Sequence, residues 1–242
     1  MTVTRPRAER GAFPPGTEHY GRSLLGAPLI WFPAPAASRE SGLILAGTHG
    51  DENSSVVTLS CALRTLTPSL RRHHVVLCVN PDGCQLGLRA NANGVDLNRN
   101  FPAANWKEGE TVYRWNSAAE ERDVVLLTGD KPGSEPETQA LCQLIHRIQP
   151  AWVVSFHDPL ACIEDPRHSE LGEWLAQAFE LPLVTSVGYE TPRSFGSWCA
   201  DLNLHCITAE FPPISSDEAS EKYLFAMANL LRWHPKDAIR PS

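Results

Sequence analysis

Several things are missing from this chain, and each absence narrows its class. No stretch approaches the roughly 18 consecutive apolar residues that a membrane helix requires. Arg5 and Arg7 near the start are not followed by an apolar segment, so the N-terminus does not read as a secretory signal. There is no internal repeat and no low-complexity tract. The seven cysteines include no CxxC pair; their number is odd, and Cys61, Cys78, Cys84, Cys142, Cys162, Cys199 and Cys206 are scattered, most of them inside apolar runs. That pattern excludes a disulfide framework and fits reduced cysteines acting as small core hydrophobes. The expected location is therefore a reducing cytoplasm. Positive charge is also in deficit, with 21 Lys+Arg against 28 Asp+Glu, a net charge of -7. A net-negative surface disfavours nucleic-acid and anionic-membrane partners.

What is present suits one catalytic-size domain. A length of 242 residues with 42% hydrophobic content is ample for a core. Residues 1–16, rich in Arg, Pro and Gly, read as a poorly ordered arm, and 17–242 as a single domain. Short Val/Ile/Leu-rich runs at 28–32, 43–46, 74–79, 152–156, 183–187 and 205–209 read as buried strands. Amphipathic stretches at 54–66, 171–179 and 216–231 read as helices, the last opened by Ser215 and Glu218. A further helix is expected from a capping box at Ser134-Glu-Pro-Glu137. This alternation predicts an α/β fold, a single domain with a mixed, largely parallel central sheet flanked by helices. Residues 103–133 give mixed signals.

Three strands end in ionisable residues. The first delivers His49 and Glu52, another His157 and Asp158, and a third Glu210. Ligands of open α/β sheets bind beyond the carboxyl ends of strands, so these side chains are expected in one crevice. Two imidazoles and one carboxylate make a catalytic zinc set, leaving a second Glu as a general base. Alone, His-x-x-Glu is weak: with nine histidines and about one residue in fifteen being Glu, roughly 0.6 matches arise by chance. An isolated His157 after a buried strand is also more readily a core histidine than a ligand.

The remaining motifs decide the matter. In order, the chain carries Gly21-Arg-Ser-Leu-Leu-Gly26, His49-x-x-Glu52, Asn80-Pro-Asp-Gly83, Arg89, Gly94-Val-Asp-Leu-Asn-Arg-Asn-Phe101, Gly133-Ser-Glu-Pro-Glu-Thr138, His157 and Glu210. This series resembles the zinc carboxypeptidases of the carboxypeptidase A type, peptidase family M14, over about residues 19–232. The resemblance implies a zinc-dependent peptide hydrolase with one Zn2+ per chain, held by His49, Glu52 and His157. It implies that Glu210 is general base and acid for attack by water activated at the zinc. It further implies that Arg89 polarises the scissile carbonyl, that Asn98 and Arg99 grip a terminal carboxylate, and that Asp96 orients the first histidine. Left to the residues alone, the less favoured alternatives are that Asp96 only caps the local turn and that Arg89 forms a surface ion pair. The family's mobile tyrosine is not assigned, because Tyr189 lies near its place but the spacing to Gly196 and Ser197 does not align.

A grip on a terminal carboxylate implies removal of one C-terminal residue. Within the family the compact layout resembles the bacterial branch acting on murein peptides. That implies a small-peptide partner, L-Ala-γ-D-Glu-meso-diaminopimelate, cleaved at the γ-D-glutamyl–diaminopimelate bond during cell-wall peptide recycling. Trp198, Cys199 and Asp201 are candidates for the specificity-pocket floor, and Trp106, Tyr113, Arg114 and Trp115 for its shaping from the 103–133 segment. Alternatives are a zinc carboxypeptidase for other peptides, an N-acyl amino acid deacylase of the aspartoacylase or succinylglutamate desuccinylase type, and a non-enzymatic binding module.

Overall fold

The computed structural model describes residues 3–115 and 119–235. Among these residues ten strands form in chain order: β1 (Glu18–Arg22), β2 (Pro28–Phe32), β3 (Leu43–Leu45), β4 (His74–Val76), β5 (Glu110–Tyr113), β6 (Val124–Leu127), β7 (Val153–His157), β8 (Cys162–Glu164), β9 (Leu183–Val184) and β10 (Cys206–Glu210). Eight of them build one sheet in the order β1-β2-β4-β3-β7-β10-β8-β9, while β5 and β6 pair separately as an antiparallel ribbon. The centre, β4-β3-β7-β10, is parallel throughout, and antiparallel pairs join β1, β2 and β8 to it. The expected fold class is therefore observed.

Among the same residues six helices complete the domain: α1 (Asn53–Thr65), α2 (Pro81–Leu86), α3 (Pro136–Ile148), α4 (Glu170–Phe179), α5 (Phe195–Asp201) and α6 (Ser216–Leu230). One buried cluster joins α1, α4 and α6 through Leu59, Leu63, Leu175, Phe179, Tyr223 and Met227 to Ile44, Val154 and Ile207 of the sheet. A second joins α3 and α5 through Leu141, Leu144, Phe195 and Trp198 to Leu43, Leu45 and Val153. Consecutive strand residues thus point to opposite layers, and the central strands read as unbroken apolar runs because both faces are covered. The Ser215–Glu218 capping box forms in full, each side chain bonding the other's backbone N–H.

Local departures from the sequence reading have identifiable causes. The capping box expected at Ser134–Glu137 does not form: α3 starts after Glu135, with no side-chain cap. Its acids are committed elsewhere, Glu137 accepting from the Leu24 N–H and the Asn91 amide, and Glu135 from Asn91 and Asn93. Asn80-Pro-Asp-Gly83 is the first turn of a short helix, capped by Asn80 accepting from the Gly83 N–H. Asp82 reaches back to the Ser23 hydroxyl and the Leu25 N–H. The scattered motifs of the sequence are thereby a single scaffold of hydrogen bonds. In the 1–16 segment, Arg7–Glu9 forms a 3-10 turn, the Arg5 N–H donates to Thr65 and Val3 accepts from Thr67.

Candidate active site and metal centre

The site lies where β3, β7 and β10 end. His49 and Glu52 occupy the loop between β3 and α1. Glu52 is the residue before α1 and does not cap it, because its carboxylate turns towards the imidazoles. Gly50 allows this loop to press on α2: an added Cβ would stand 2.0 Å from the Gly83 carbonyl carbon and 2.4 Å from the Leu88 oxygen. The Gly50 N–H in turn donates to the Arg89 carbonyl, which sets Arg89 beside the pair. His157 is the last residue of β7 and Glu210 the last of β10, and the two are direct register partners. The Ser54 hydroxyl, at the start of α1, lies 2.9 and 2.8 Å from the two carboxylate oxygens of Asp158, tying the end of β7 to that helix.

His49, Glu52 and His157 are all buried and converge. His49 Nδ1 is 2.8 Å from Glu52 Oε1, His157 Nδ1 is 2.9 Å from Glu52 Oε2, and the two Nδ1 atoms are 3.2 Å apart. Donors on a tetrahedral zinc at about 2.0–2.2 Å are about 3.3–3.6 Å from one another, so this set is near the required spacing and of the right chemistry. The opposite nitrogens are both held: His49 Nε2 by Asp96 Oδ1 at 3.1 Å, His157 Nε2 by the Ser155 hydroxyl at 3.1 Å. With Nε2 donating to Asp96, the Nδ1 lone pair of His49 faces a carboxylate and a second imidazole, and that arrangement calls for a cation. Burial and Arg89 depress the proton affinity of His49, but Glu52 and Asp96 outweigh them and raise its pKa to about 9. Burial opposes the charge of Glu52 as well, yet the two histidines hold its carboxyl well below the usual range.

Asp96 performs both of the roles the sequence left open. Its Oδ1 caps the 3-10 turn Leu97–Arg99 by accepting from the Asn98 N–H at 2.9 Å, and the same atom accepts from His49. Arg89 is an interior ion-pair partner, not a surface one: its Nη1 donates to Glu52 at 2.8 Å and its Nε lies 3.5 Å from Asp96. Its guanidinium sits 3.9 Å from the centroid of the Tyr113 ring. Asn98 is oriented by accepting from the Phe195 N–H, and the Arg99 Nη1 donates to the Asn98 carbonyl. Glu210 is 8% exposed and accepts from the Leu160 N–H. Burial raises its pKa, the charge of Glu52 adds to the rise, and His157 opposes it.

Apart from Asp96, every residue expected to hold the metal, carry the reaction or grip the terminal carboxylate lines one cleft of about 350 Å³, and Asp96 stands directly behind His49. Three expectations about the walls change. Trp198 and Cys199 are buried in the core behind α5, and Asp201 is engaged with the Ala104 N–H; none of them lines the cleft. The wall comes instead from the small residues Gly196, Ser197 and Ala200 on the other face of α5, and from Glu164, Arg167 and His205. From the 103–133 segment, Tyr113, Arg114 and Arg122 reach the cleft, whereas Trp115 is 71% exposed. Tyr189 also lines it. Ser155 escaped the sequence reading because a serine inside a buried strand carries no signal of its own; its place two residues before His157, on the same face, was the available cue.

The His-Glu-His set could thus hold a metal at the carboxyl ends of the parallel strands, with Arg89 and the buried Glu210 lining the same cleft. The zinc carboxypeptidase family model, Peptidase M14, matches residues 16–159, and the chain belongs to that family of zinc-dependent peptide-bond hydrolases. Among its relatives is murein peptide amidase A of Vibrio campbellii, 56% identical over 230 residues that cover 95% of this chain and 93% of that protein. The crystal structure of murein-tripeptide amidase from Escherichia coli O157 superposes with a TM-score of 0.94 at 98% identity, covering 98% of this chain and 100% of that one. Bovine thrombin-activatable fibrinolysis inhibitor shares the fold, with a TM-score of 0.68 at 18% identity over 98% of this chain and 90% of its own. Among the described residues no helix is long and apolar enough to cross a membrane.

Proposed function

We propose that this chain hydrolyses the γ-D-glutamyl–meso-diaminopimelate amide bond of L-Ala-γ-D-Glu-meso-diaminopimelate, releasing free diaminopimelate in cell-wall peptide recycling in the cytoplasm. The observation that carries this reading is the concentration of arginines in the cleft, beside the carboxylates Glu52, Asp158, Glu164 and Glu210. Arg89, Arg99, Arg114, Arg122 and Arg167 all line it, on a chain that is net negative as a whole. The tripeptide has three free carboxylates, one on D-Glu and two on diaminopimelate, and guanidinium forks are the side chains best suited to them. Likeness over nearly the whole length to two proteins named as murein amidases supports the same substrate.

His49, Glu52 and His157 would hold one zinc ion, which when bound lowers the pKa of water and polarises a carbonyl. The other residues do the positioning and the proton transfer. Asn98 and Arg99 take the carboxylate next to the scissile amide, which fixes the bond against the metal ligands. Arg89 donates to the carbonyl oxygen as negative charge develops there, a contact preorganised by its bonds to Glu52 and Asp96. Glu210, buried beside His157, accepts the proton of the attacking water and returns it to the leaving amine, so the diaminopimelate nitrogen departs neutral. Asp96 and Ser155 keep both imidazoles turned with Nδ1 inward.

Purified, zinc-loaded enzyme offered L-Ala-γ-D-Glu-meso-diaminopimelate, the same peptide ending in L-Lys, and a blocked dipeptide ending in Phe tests this directly. The expected order has the diaminopimelate peptide first in kcat/KM. Preference for either of the others removes the murein assignment and leaves a carboxypeptidase of different specificity.

A further inference from the structure

The cleft continues past the metal ligands, and its floor is a second row of side chains on the same strands. Paired residues on neighbouring strands point to the same face of a sheet, and residues two apart on one strand do so too. Glu210 pairs with His157 on one side and with Cys162 on the other. Two residues back along β10, Thr208 pairs with Ser155 and with Glu164. The row Ser155-Thr208-Glu164 therefore runs beneath the row His157-Glu210-Cys162, about 7 Å further down the strands. Ser155, Thr208 and Glu164 all line the cleft.

Beyond that row the wall turns cationic. β8 ends at Glu164, and the following turn carries Arg167 to the cleft wall, where its exposed guanidinium donates through Nη2 to the carbonyl and the side-chain oxygen of Asn203. The turn is rigidly held by Asp165, fully buried, which accepts from the backbone N–H groups of Arg167 and Ser169, from the Ser169 hydroxyl and from His205. Glu164 is anchored through one oxygen by the Val187 N–H at 3.2 Å. An anion and a cation three residues apart, on a fixed turn, thus face the same cavity. An apolar side chain placed there would supply a counter-charge to neither, which favours an end group that carries both signs.

On the reading of function above, we infer that Glu164 and Arg167 form the subsite for the distal amino-acid end of diaminopimelate, Glu164 taking its ammonium and Arg167 its carboxylate. The lengths agree: six bonds separate the scissile nitrogen from the distal ammonium nitrogen, about 7 Å when extended, and the floor row lies about 7 Å below the metal ligands. Lysine is diaminopimelate without the distal carboxylate, so it satisfies Glu164 and leaves Arg167 without an anion. 2-Aminopimelate is diaminopimelate without the distal amine, and does the reverse. Each omission leaves one charge without its partner, which weakens transition-state binding by about ten- to a hundredfold.

The test is kcat/KM for L-Ala-γ-D-Glu-X with X as meso-diaminopimelate, L-Lys or L-2-aminopimelate, measured on the zinc enzyme and on Glu164→Gln and Arg167→Met, with metal content determined for each. The amide oxygen introduced by Glu164→Gln would still accept from the Val187 N–H, so the local structure is kept. The unmodified enzyme is expected to prefer the diaminopimelate peptide over each analogue by about ten- to a hundredfold. In Glu164→Gln the preference over the aminopimelate peptide collapses towards one while the preference over the lysine peptide persists; Arg167→Met shows the opposite pattern. A purely structural role would lower all three rates together, and that result overturns the inference. A diaminopimelate-preferring enzyme whose two ratios survive in both variants also overturns it, and leaves the proposed function standing. An unmodified enzyme with no preference for diaminopimelate removes both.

Discussion

One carboxylate oxygen of Asp96 is shared: Oδ1 lies 3.1 Å from Nε2 of His49 while it also caps the backbone of Asn98. The His49 imidazole and the turn bearing Asn98 and Arg99 are thereby locked to the same atom. Asp96→Ala is expected to weaken zinc affinity by about 10- to 100-fold, the usual cost of losing the partner behind a ligating histidine. It should also cost about 1 kcal/mol of stability through the lost cap. Competition with a calibrated chelator, together with thermal melting of the metal-free protein, separates the two effects. Unchanged metal affinity would reduce Asp96 to a cap.

Removing a ligand has a different signature from removing the base. His49→Ala and His157→Ala are expected to lose the proposed zinc ion, read by elemental analysis after desalting. Full metal retention in both would refute the assigned centre.

Glu210→Gln should keep its zinc, since the side chain is not among the three converging ligands. Its kcat is expected to fall by about 10²- to 10⁴-fold, the range for loss of a positioned acid–base group. Near-normal turnover would exclude Glu210 from proton transfer.

Tyr113 covers Arg89 from the ribbon β5-β6, at 3.9 Å from ring centroid to guanidinium carbon. Tyr113→Ala removes that contact and frees Arg89 to move, and a loss of about 3- to 30-fold in kcat/KM corresponds to a desolvated cation–π pair. Tyr113→Phe keeps the ring and should retain most activity. Equal losses in both variants would point to the hydroxyl instead.

Far from the site, His73 and His74 make folding sensitive to acid. Burial is the main cause that depresses both pKa values to about 4, with Arg71 adding to the effect at His74 and the bond from His73 to the Trp233 carbonyl opposing it. His73 Nδ1 accepts from the Gly42 N–H and His74 Nδ1 from the Ala34 N–H, bonds that protonation would break. Between about pH 6.5 and pH 4 the unfolded chain binds more protons than the folded one at these residues. Stability is therefore full above about pH 6.5 and declines as pH falls towards 4. Melting temperature against pH for the protein and for His73→Gln checks this, because the variant's curve should be flatter across that window; parallel curves would remove His73 from the linkage.

His49 and Glu52 were legible because their spacing is local, and His157 and Glu210 because each ends a buried apolar run. Most strands and helices were legible for the same reason, since period and capping are written within a few residues. The strand β8 was not: Cys162-Ile-Glu164 is not a Val/Ile/Leu run, and its antiparallel pairing with β10 depends on a partner more than forty residues away. The same holds for the pocket wall. Trp198, Cys199 and Asp201 were reasonable candidates by position along the chain, but α5 turns its bulky residues into the core and its small ones to the cleft.

By itself, then, the sequence determined the fold class, the candidate metal triad and the family, because these reside in local periods and in the order of motifs. The tertiary structure alone decided that His157 and Glu210 share a register position, that Ser155 holds the second imidazole, and that Glu164 and Arg167 face the cavity. Those relations come from strand pairing between distant segments, where only the packed sheet selects the neighbours.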